Sequence, residues 1–253
     1  MVKVTICGAN GKMGKVISSV IKDRTDCTVI SGIDLNTEPG DGFTVYSKPS
    51  ELPEKPDVII DYSHPSGLGD LLDYCLSTGT AIVIATTGYT EDQINSIKKA
   101  AEQIPVFFTF NMSLGINLLC KLAKTAAEVL GGQFDIEIVE KHHNQKIDAP
   151  SGTAIMLANA INETLDNKYN YTYDRHSQRK KREKNEIGMH SIRGGTIVGE
   201  HEIIFAGRDE VITLSHSAAS KEVFAAGSVN AAVYLCGRPA GLYDMASLVD
   251  SGK

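Results

Sequence analysis

The 253 residues include 25 lysines and arginines against 31 aspartates and glutamates, a formal net charge of −6, with 42% hydrophobic and 22% charged residues. That balance fits a globular chain and excludes a wholly disordered one, and the acidic sign argues against general nucleic-acid binding and against an anionic membrane surface as partner. The five cysteines, at 7, 27, 75, 120 and 236, form no CxxC pair, so neither a zinc ribbon nor a redox motif is expected, and free thiols fit a reducing, cytoplasmic setting.

The chain opens on a strand pattern, VKVTICGAN. It shows no charged segment leading into an apolar one and no apolar run of about 18 residues, so neither a signal peptide nor a membrane span is expected. Strand-like runs at 2–7, 28–34, 58–62, 81–85 and 106–111 alternate with helical patterns at about 12–23, 66–78 and 90–103. This is the β-α-β rhythm of an open parallel sheet, and strands apolar throughout are expected where helices cover both faces. From residue 113 the rhythm changes. A long helical pattern over 114–130 stops at Gly131-Gly132, a strand is expected over 134–141, a helix over 151–165, and strands near 188–193, 196–206 and 210–218. That order predicts an α+β layer, with helices on one side of a mostly antiparallel sheet. The polar stretch 167–186, with RKKR at 179–182, reads as a solvated loop. An Ala-rich helix over 221–235 follows, and Asp244 is placed to cap a short last helix. These final residues are too few for a core of their own. The expected organisation is therefore a dinucleotide-binding domain of 1–112 and 221–253, with 113–220 as a second domain.

Chemistry is first suggested by CGANGKMG, directly after the first strand. Gly8, Gly11 and Gly14 permit a tight turn, a close approach of backbone to a pyrophosphate, and close packing of helix on strand. The helix start offers amides and a partial positive charge to phosphates. Asp34 ends the second strand about twenty residues beyond, where a carboxylate accepts hydrogen bonds from ribose hydroxyls and repels a 2′-phosphate. The turns Ala85-Thr86-Thr87-Gly88 and Thr109-Phe110-Asn111-Met112 follow later strands and border the same crevice, at the carboxyl ends where such sheets bind ligands.

The second cluster is EKHHNQKIDAPSGTA, residues 140–154. Adjacent side chains on a strand face opposite ways, so His142 and His143 need not act together. Lys146 brings a mobile positive charge, and Ser151, Gly152 and Thr153 begin a helix with a hydroxyl and open amides. The combination suits a carboxylate or phosphate receptor beside an acid–base histidine. The residues alone also allow a plain polar strand end, with Glu140 and Lys141 as surface charges and Ser-Gly-Thr as a cap. A metal site is disfavoured because no third ligand stands at suitable spacing.

EKHHNQKIDAPSGTA resembles the signature of the dihydrodipicolinate reductase family. The similarity extends to GANGKMG, ATTGYT, FNMSLGIN, SIRGGTIVGEH, ITLSHSAASKEVFAAG and GLYDM, nearly the whole chain. It implies a Rossmann domain binding NADH or NADPH, an α+β domain that binds a small cyclic dicarboxylate and forms a homotetramer, and hinges near 111–113 and 220–221. It implies reduction of 4-hydroxy-tetrahydrodipicolinate with loss of water, on the diaminopimelate route to lysine. By position, His142 matches the family's proton donor and Lys146 a second one. His143, Gly152 and Thr153 match substrate contacts, beside Ser151 at the helix start. Gly8, Ala9, Asn10, Gly11, Lys12 and Met13, with Asp34, Ala85, Thr86, Thr87, Thr109, Phe110, Asn111 and Met112, match cofactor contacts.

Some positions depart from the family pattern. Asn10 and Lys12 stand where many relatives have Gly and Arg, Ala85 replaces a common Gly, and Leu35 follows Asp34 where some members place an Arg. Asp34 with Leu35 suggests that NADH serves at least as well as NADPH, although Lys12 is placed to help a 2′-phosphate. Rival readings are another two-domain nicotinamide reductase, which has no need of HHNQK with DAPSGT, and a dinucleotide-sensing regulator, for which only RKKR speaks. A short-chain dehydrogenase needs a Tyr-x-x-x-Lys pair, and none occurs.

Overall fold

A computed structural model describes residues 1–109 and 111–251. In chain order the strands are β1 (Val2–Cys7), β2 (Cys27–Ile33), β3 (Thr44–Tyr46), β4 (Val58–Asp61), β5 (Ala81–Ile84), β6 (Pro105–Phe108), β7 (Asp135–His142), β8 (Asn170–Thr172), β9 (Glu186–Arg193), β10 (Gly199–Ala206), β11 (Val211–Ala218) and β12 (Gly241–Tyr243). The helices are α1 (Lys12–Lys22), α2 (Leu68–Thr78), α3 (Glu91–Ala100), α4 (Leu114–Leu130), α5 (Gly152–Thr164), α6 (Glu222–Leu235) and α7 (Met245–Asp250). The chain forms two compact units, Met1–Leu114 with Glu222–Lys253, and Gly115–Lys221. No helix among the described residues is long and apolar enough to cross a membrane.

The first unit is built on one sheet in the order β12-β6-β5-β4-β1-β2-β3, every neighbouring pair parallel. Its strands are buried on both faces, which is why they read as unbroken apolar runs. Val4, Ile6, Val58, Ile60, Val83 and Phe107 pack in one cluster with Ile17 and Ile21 of α1 and Ala225, Val229 and Leu235 of α6. Ile59, Ile82, Ile84 and Val106 pack in another with Leu68, Leu71 and Cys75 of α2 and Ile97 of α3. Each fully buried aliphatic side chain contributes about 1.5–3 kcal/mol. Thr90 opens α3 with a capping box to Gln93, and Asp244 caps α7 by accepting from the Ser247 amide. β3 and β12, three residues each, are absent from the sequence reading.

The second unit holds a five-stranded sheet in the order β11-β10-β7-β9-β8, which is mixed rather than mostly antiparallel. β10 runs antiparallel to both β11 and β7, but β7 with β9 and β9 with β8 are parallel pairs. The reason is the crossover through α5: a helix after β7 returns the chain to the same end of the sheet, so β8 restarts in β7's direction. One face is covered by Ile116, Leu119 and Ala123 of α4 and Ala154, Leu157 and Ile161 of α5 over Ile136, Ile138, Ile187, Met189, Ile203 and Phe205.

The stretch 167–186 is not simply a solvated loop. It contains β8, and its Arg182 donates to Asp135, Glu137 and the carbonyls of Ile136 and Glu186, while Arg175 pairs with Glu137 and Glu186. Two cations of this stretch therefore fasten it to the sheet. β9 and β10 are not neighbours, so their connection arches past the end of β7. There the Gly194 amide donates to the His142 carbonyl and the Asn144 amide to the Gly195 carbonyl.

Candidate active site

In the first unit the chain leaves β1 for β2 on one side and later returns to β4 on the other, which makes the carboxyl end of β1 a switch point. The turn there has no room for side chains. Gly8 has φ +81°, and a Cβ on it would lie 2.4 Å from the Tyr62 carbonyl oxygen. A Cβ on Gly14 would lie 2.2 Å from the Gly8 carbonyl oxygen. Gly11 precedes α1 with no side-chain cap, so the first amides of this 11-residue helix are left for an anionic group. Asp34 holds the turn from the other side, its two oxygens accepting from the amides of Asn10 (2.9 Å) and Asn36 (3.0 Å).

A groove of about 440 Å³ runs past Gly8, Gly11, Asp34, Leu35, Lys48 and His64. A second, of about 400 Å³, lies among Tyr62, Ser63, Ala85, Thr86, Thr87 and Gly88. Both grooves lie at the carboxyl ends of parallel strands, where sheets of this kind bind ligands.

Other expected contacts of this crevice fall differently. Ala9 and Met112 are core residues, Met13 is half-buried against that core, and Lys12 and Thr87 are exposed. The Asn111 side-chain oxygen accepts from the Ser113 amide at 2.8 Å, and Thr109 is half-buried. Phe110 lies outside the described residues.

Asp61, at the end of β4, was missed. Only 1% exposed, it accepts from the amide and hydroxyl of Ser63 and from the Tyr89 hydroxyl, while the Ser63 amide also reaches Thr86 Oγ1 at 2.9 Å. It thereby ties the loops after β4 and β5 together. The signal was present as a carboxylate closing an otherwise apolar run, VIID. Burial, and then the Asp61 charge, push the nearby Cys7 thiol up, which leaves it inert as a nucleophile.

In the second unit His142 ends β7 and points to the helix-covered face. Its Nδ1 is 2.6 Å from Oε2 of Glu140, two residues back on the same face. Glu140 is fully buried, not the surface charge that the sequence also allowed. Arg193 of β9 donates to both its oxygens, at 2.8 and 2.7 Å, and the Ser151 amide donates to Oε1 at 3.1 Å. Burial alone would raise this carboxyl, but hydrogen bonds from Arg193, His142, Ser191 and the Ser151 amide outweigh it and hold it at about 2.

His201 of β10 pairs in register with Glu140 and stands edge-on to His142, ring centroids 5.3 Å apart. Its Nε2 lies 3.1 Å from Ser151 Oγ, its Nδ1 is buried without a partner, and burial together with the nearby His142 lowers it to about 4.

The Ser151 hydroxyl is itself buried and caps α5 by accepting from the Ala154 amide, while Gly152 beside it is exposed and Thr153 half-buried. Lys146 folds back in a tight turn, its amide on the His143 carbonyl and its ammonium 2.9 Å from Asp148. Arg193 also donates to the Asp148 carbonyl. His142, Lys146 and the start of α5 are thus tied together within one unit, with His143 half-buried beside them. Sequence reasoning missed Glu140, Arg193 and His201 as parts of this cluster. Among the described residues no group of three or more His, Cys, Asp or Glu could hold a metal ion.

The family described as dihydrodipicolinate reductase, N-terminus, matches residues 2–112, and its C-terminal counterpart matches residues 115–249. A 4-hydroxy-tetrahydrodipicolinate reductase of Caldanaerobacter subterraneus subsp. tengcongensis is 51% identical over 252 residues, covering 100% of both chains. One of Clostridium tetani is 43% identical over 251 residues, 99% of this chain and 98% of that one. Among solved structures, a dipicolinate-bound dihydrodipicolinate reductase from Paenisporosarcina sp. TG-14 superposes with a TM-score of 0.81 at 27% identity, covering 96% of this chain and 97% of that one.

Proposed function

Because this chain belongs to the dihydrodipicolinate reductase family, we propose that His142 and Lys146 supply the protons of the family's reaction, and that Gly152 and Thr153 at the start of α5 seat a substrate carboxylate. The protein is an oxidoreductase. It reduces 4-hydroxy-tetrahydrodipicolinate to tetrahydrodipicolinate with loss of water, using NADH or NADPH, in lysine biosynthesis through diaminopimelate. The nicotinamide cofactor supplies the hydride.

The observation that carries the residue assignment is the buried His142 imidazole, anchored at Nδ1 by Glu140 beside Lys146 and the α5 amides. An imidazole held at one nitrogen keeps the other for proton transfer, which suits a group that must protonate the ring as hydride arrives. Lys146 and the start of α5 at Gly152 and Thr153 suit a planar dicarboxylate, the ammonium as a point charge and the helix start as a set of directed donors. The dipicolinate held by the Paenisporosarcina relative is a ligand of that class. His143 completes the substrate contacts, while Ser151 serves them from beneath, as cap and link to His201.

The first unit is the cofactor domain. Gly8 to Met13 form the phosphate turn, Asp34 meets the ribose, Ala85 to Thr87 border the nicotinamide end, and Thr109 and Asn111 border the crevice. Asp34 with the exposed Leu35 (97%) favours NADH at least equally, with Lys12 and the Lys48 of the same groove as the cations left to a 2′-phosphate. The second unit binds substrate and assembles a homotetramer, and the enzyme works in the cytoplasm.

The reading is tested by following NADH oxidation on substrate made in situ from pyruvate and aspartate semialdehyde by the synthase. His142→Gln and Lys146→Ala are expected to lower turnover at least 100-fold, within the usual range for a lost acid or base, with NADH affinity unchanged. Near-normal rates in both variants would remove the assignment. Competitive titration with the two cofactors tests the preference, and light scattering the tetramer.

A further inference from the structure

Glu140 enters the reaction so far only as the anchor of His142 Nδ1, yet three parts of the site meet on its two oxygens. Oε2 takes His142 Nδ1 and one Arg193 nitrogen. Oε1 takes the other Arg193 nitrogen and the Ser151 amide. We infer that Glu140, clamped by Arg193, is the positioning residue of the acid: it keeps the His142 proton on Nδ1, presents Nε2 to the substrate, and holds the start of α5 in register with that ring. This rests on the reading of His142 as proton donor.

An ionised carboxylate only accepts hydrogen bonds, and Glu140, held at about 2, is ionised throughout the neutral range. The atom facing it at 2.6 Å must therefore carry the hydrogen, which assigns it to Nδ1. When the imidazolium gives up its second proton from Nε2, a neutral ring with hydrogen on Nδ1 remains, and nothing at the anchor has to move. Nε2 is kept uncovered by Gly199, where a Cβ would lie 3.1 Å from that nitrogen.

Arg193 supplies the balance. A lone buried carboxylate beside the ring would be an uncompensated charge. The guanidinium offsets that charge while fixing its geometry. The other titratable groups around the ring are His201 from β10, kept neutral by burial, His216 opposite it on β11, and Lys146 of the following loop, paired with Asp148, whose charge reaches His201.

The two partners then predict opposite effects. Glu140→Gln is expected to lower kcat at least 10-fold, with KM for NADH unchanged. It should also move the alkaline limb of the kcat/KM profile to lower pH by about one pH unit, as expected on losing an adjacent opposite charge. Arg193→Gln should move the same limb to higher pH. A merely structural role would lower thermal stability and activity in both variants and leave the limb in place, and that result would overturn the inference.

Should either variant fail to fold, the tautomer is read on the unmodified enzyme. In histidine-15N-labelled protein above the limb, His142, identified by its absence in His142→Gln, is expected to show a pyrrole-like shift at Nδ1 and a pyridine-like shift at Nε2. The reverse pattern also overturns the inference. If instead His142→Gln keeps full turnover with an unaltered limb, the proton-donor reading itself fails, whatever Glu140 does.

Discussion

Replacing His201 by glutamine should flatten the acid side of the stability profile. His201 is 4% exposed, so solvent screening gives little relief, and burial with its histidine neighbour lowers it from 6.5 to about 4. A folded-state value below the unfolded one means that the unfolded chain binds the proton first. The neutral ring's contribution is present above pH 6.5 and is lost as pH falls through 4. Over that interval the loss is about 2 kcal/mol by pH 5 and about 3 kcal/mol by pH 4, from ~1.36 kcal/mol per pH unit. Glu140, held at about 2, stays ionised down to pH 5 and adds its own loss only below about 4.5. The chain has no tryptophan, so urea unfolding is best followed by far-ultraviolet circular dichroism at pH 7.5, 6 and 5. Glutamine keeps a partner for Ser151 Oγ without the titration. The variant is expected to be less stable at pH 7.5, yet to lose about 2 kcal/mol less than the parent on going to pH 5. Parallel pH dependence in the two proteins would refute the assignment of a buried neutral imidazole.

Gly14→Ala gains about 1 kcal/mol of helix propensity, but its Cβ meets the Gly8 carbonyl oxygen at 2.2 Å. The clash should dominate, with a net loss of about 1–3 kcal/mol and a loss of NADH binding in calorimetry. Asp34→Ala removes the acceptor of two turn amides and the ribose partner, so KM for NADH should rise at least 10-fold and more than KM for NADPH. An equal rise in both would separate the turn's stability from cofactor choice. Ser151→Ala deletes the α5 cap and should cost about 1 kcal/mol, read as a lower melting temperature at unchanged cofactor affinity.

Most of the first unit was legible because parallel strands buried on both faces leave unbroken apolar runs between helical patterns. β3, β8 and β12 were not, because three residues cannot display a period of two, and such strands form only by joining an existing edge. Strand direction in the second sheet was hidden for another reason. The sequence shows that α5 lies between strands, but which strand the chain returns beside is decided by tertiary packing.

The site divides in the same way. Residues contiguous in EKHHNQKIDAPSGTA could be read together, whereas Arg193 and His201 join them only through register, opposite His142 and Glu140. One clue was available: Glu140 continues the inward series Ile136, Ile138, and a carboxylate on a buried face needs a cation.

The placement of α6 and β12 bears on how the chain is made. β12 pairs with β6 at the sheet's edge, and α6 covers Val4, Ile6, Val58, Ile60, Val83 and Phe107. On the ribosome these residues emerge more than a hundred positions ahead of their cover. The nascent sheet therefore carries that face with α1 as its only helical cover among the described residues through the whole synthesis of residues 115–221. The inserted unit, whose core draws only on its own segment, can close while its host is still open. Loss of the last thirty residues would strand the first half of the protein in that half-covered state.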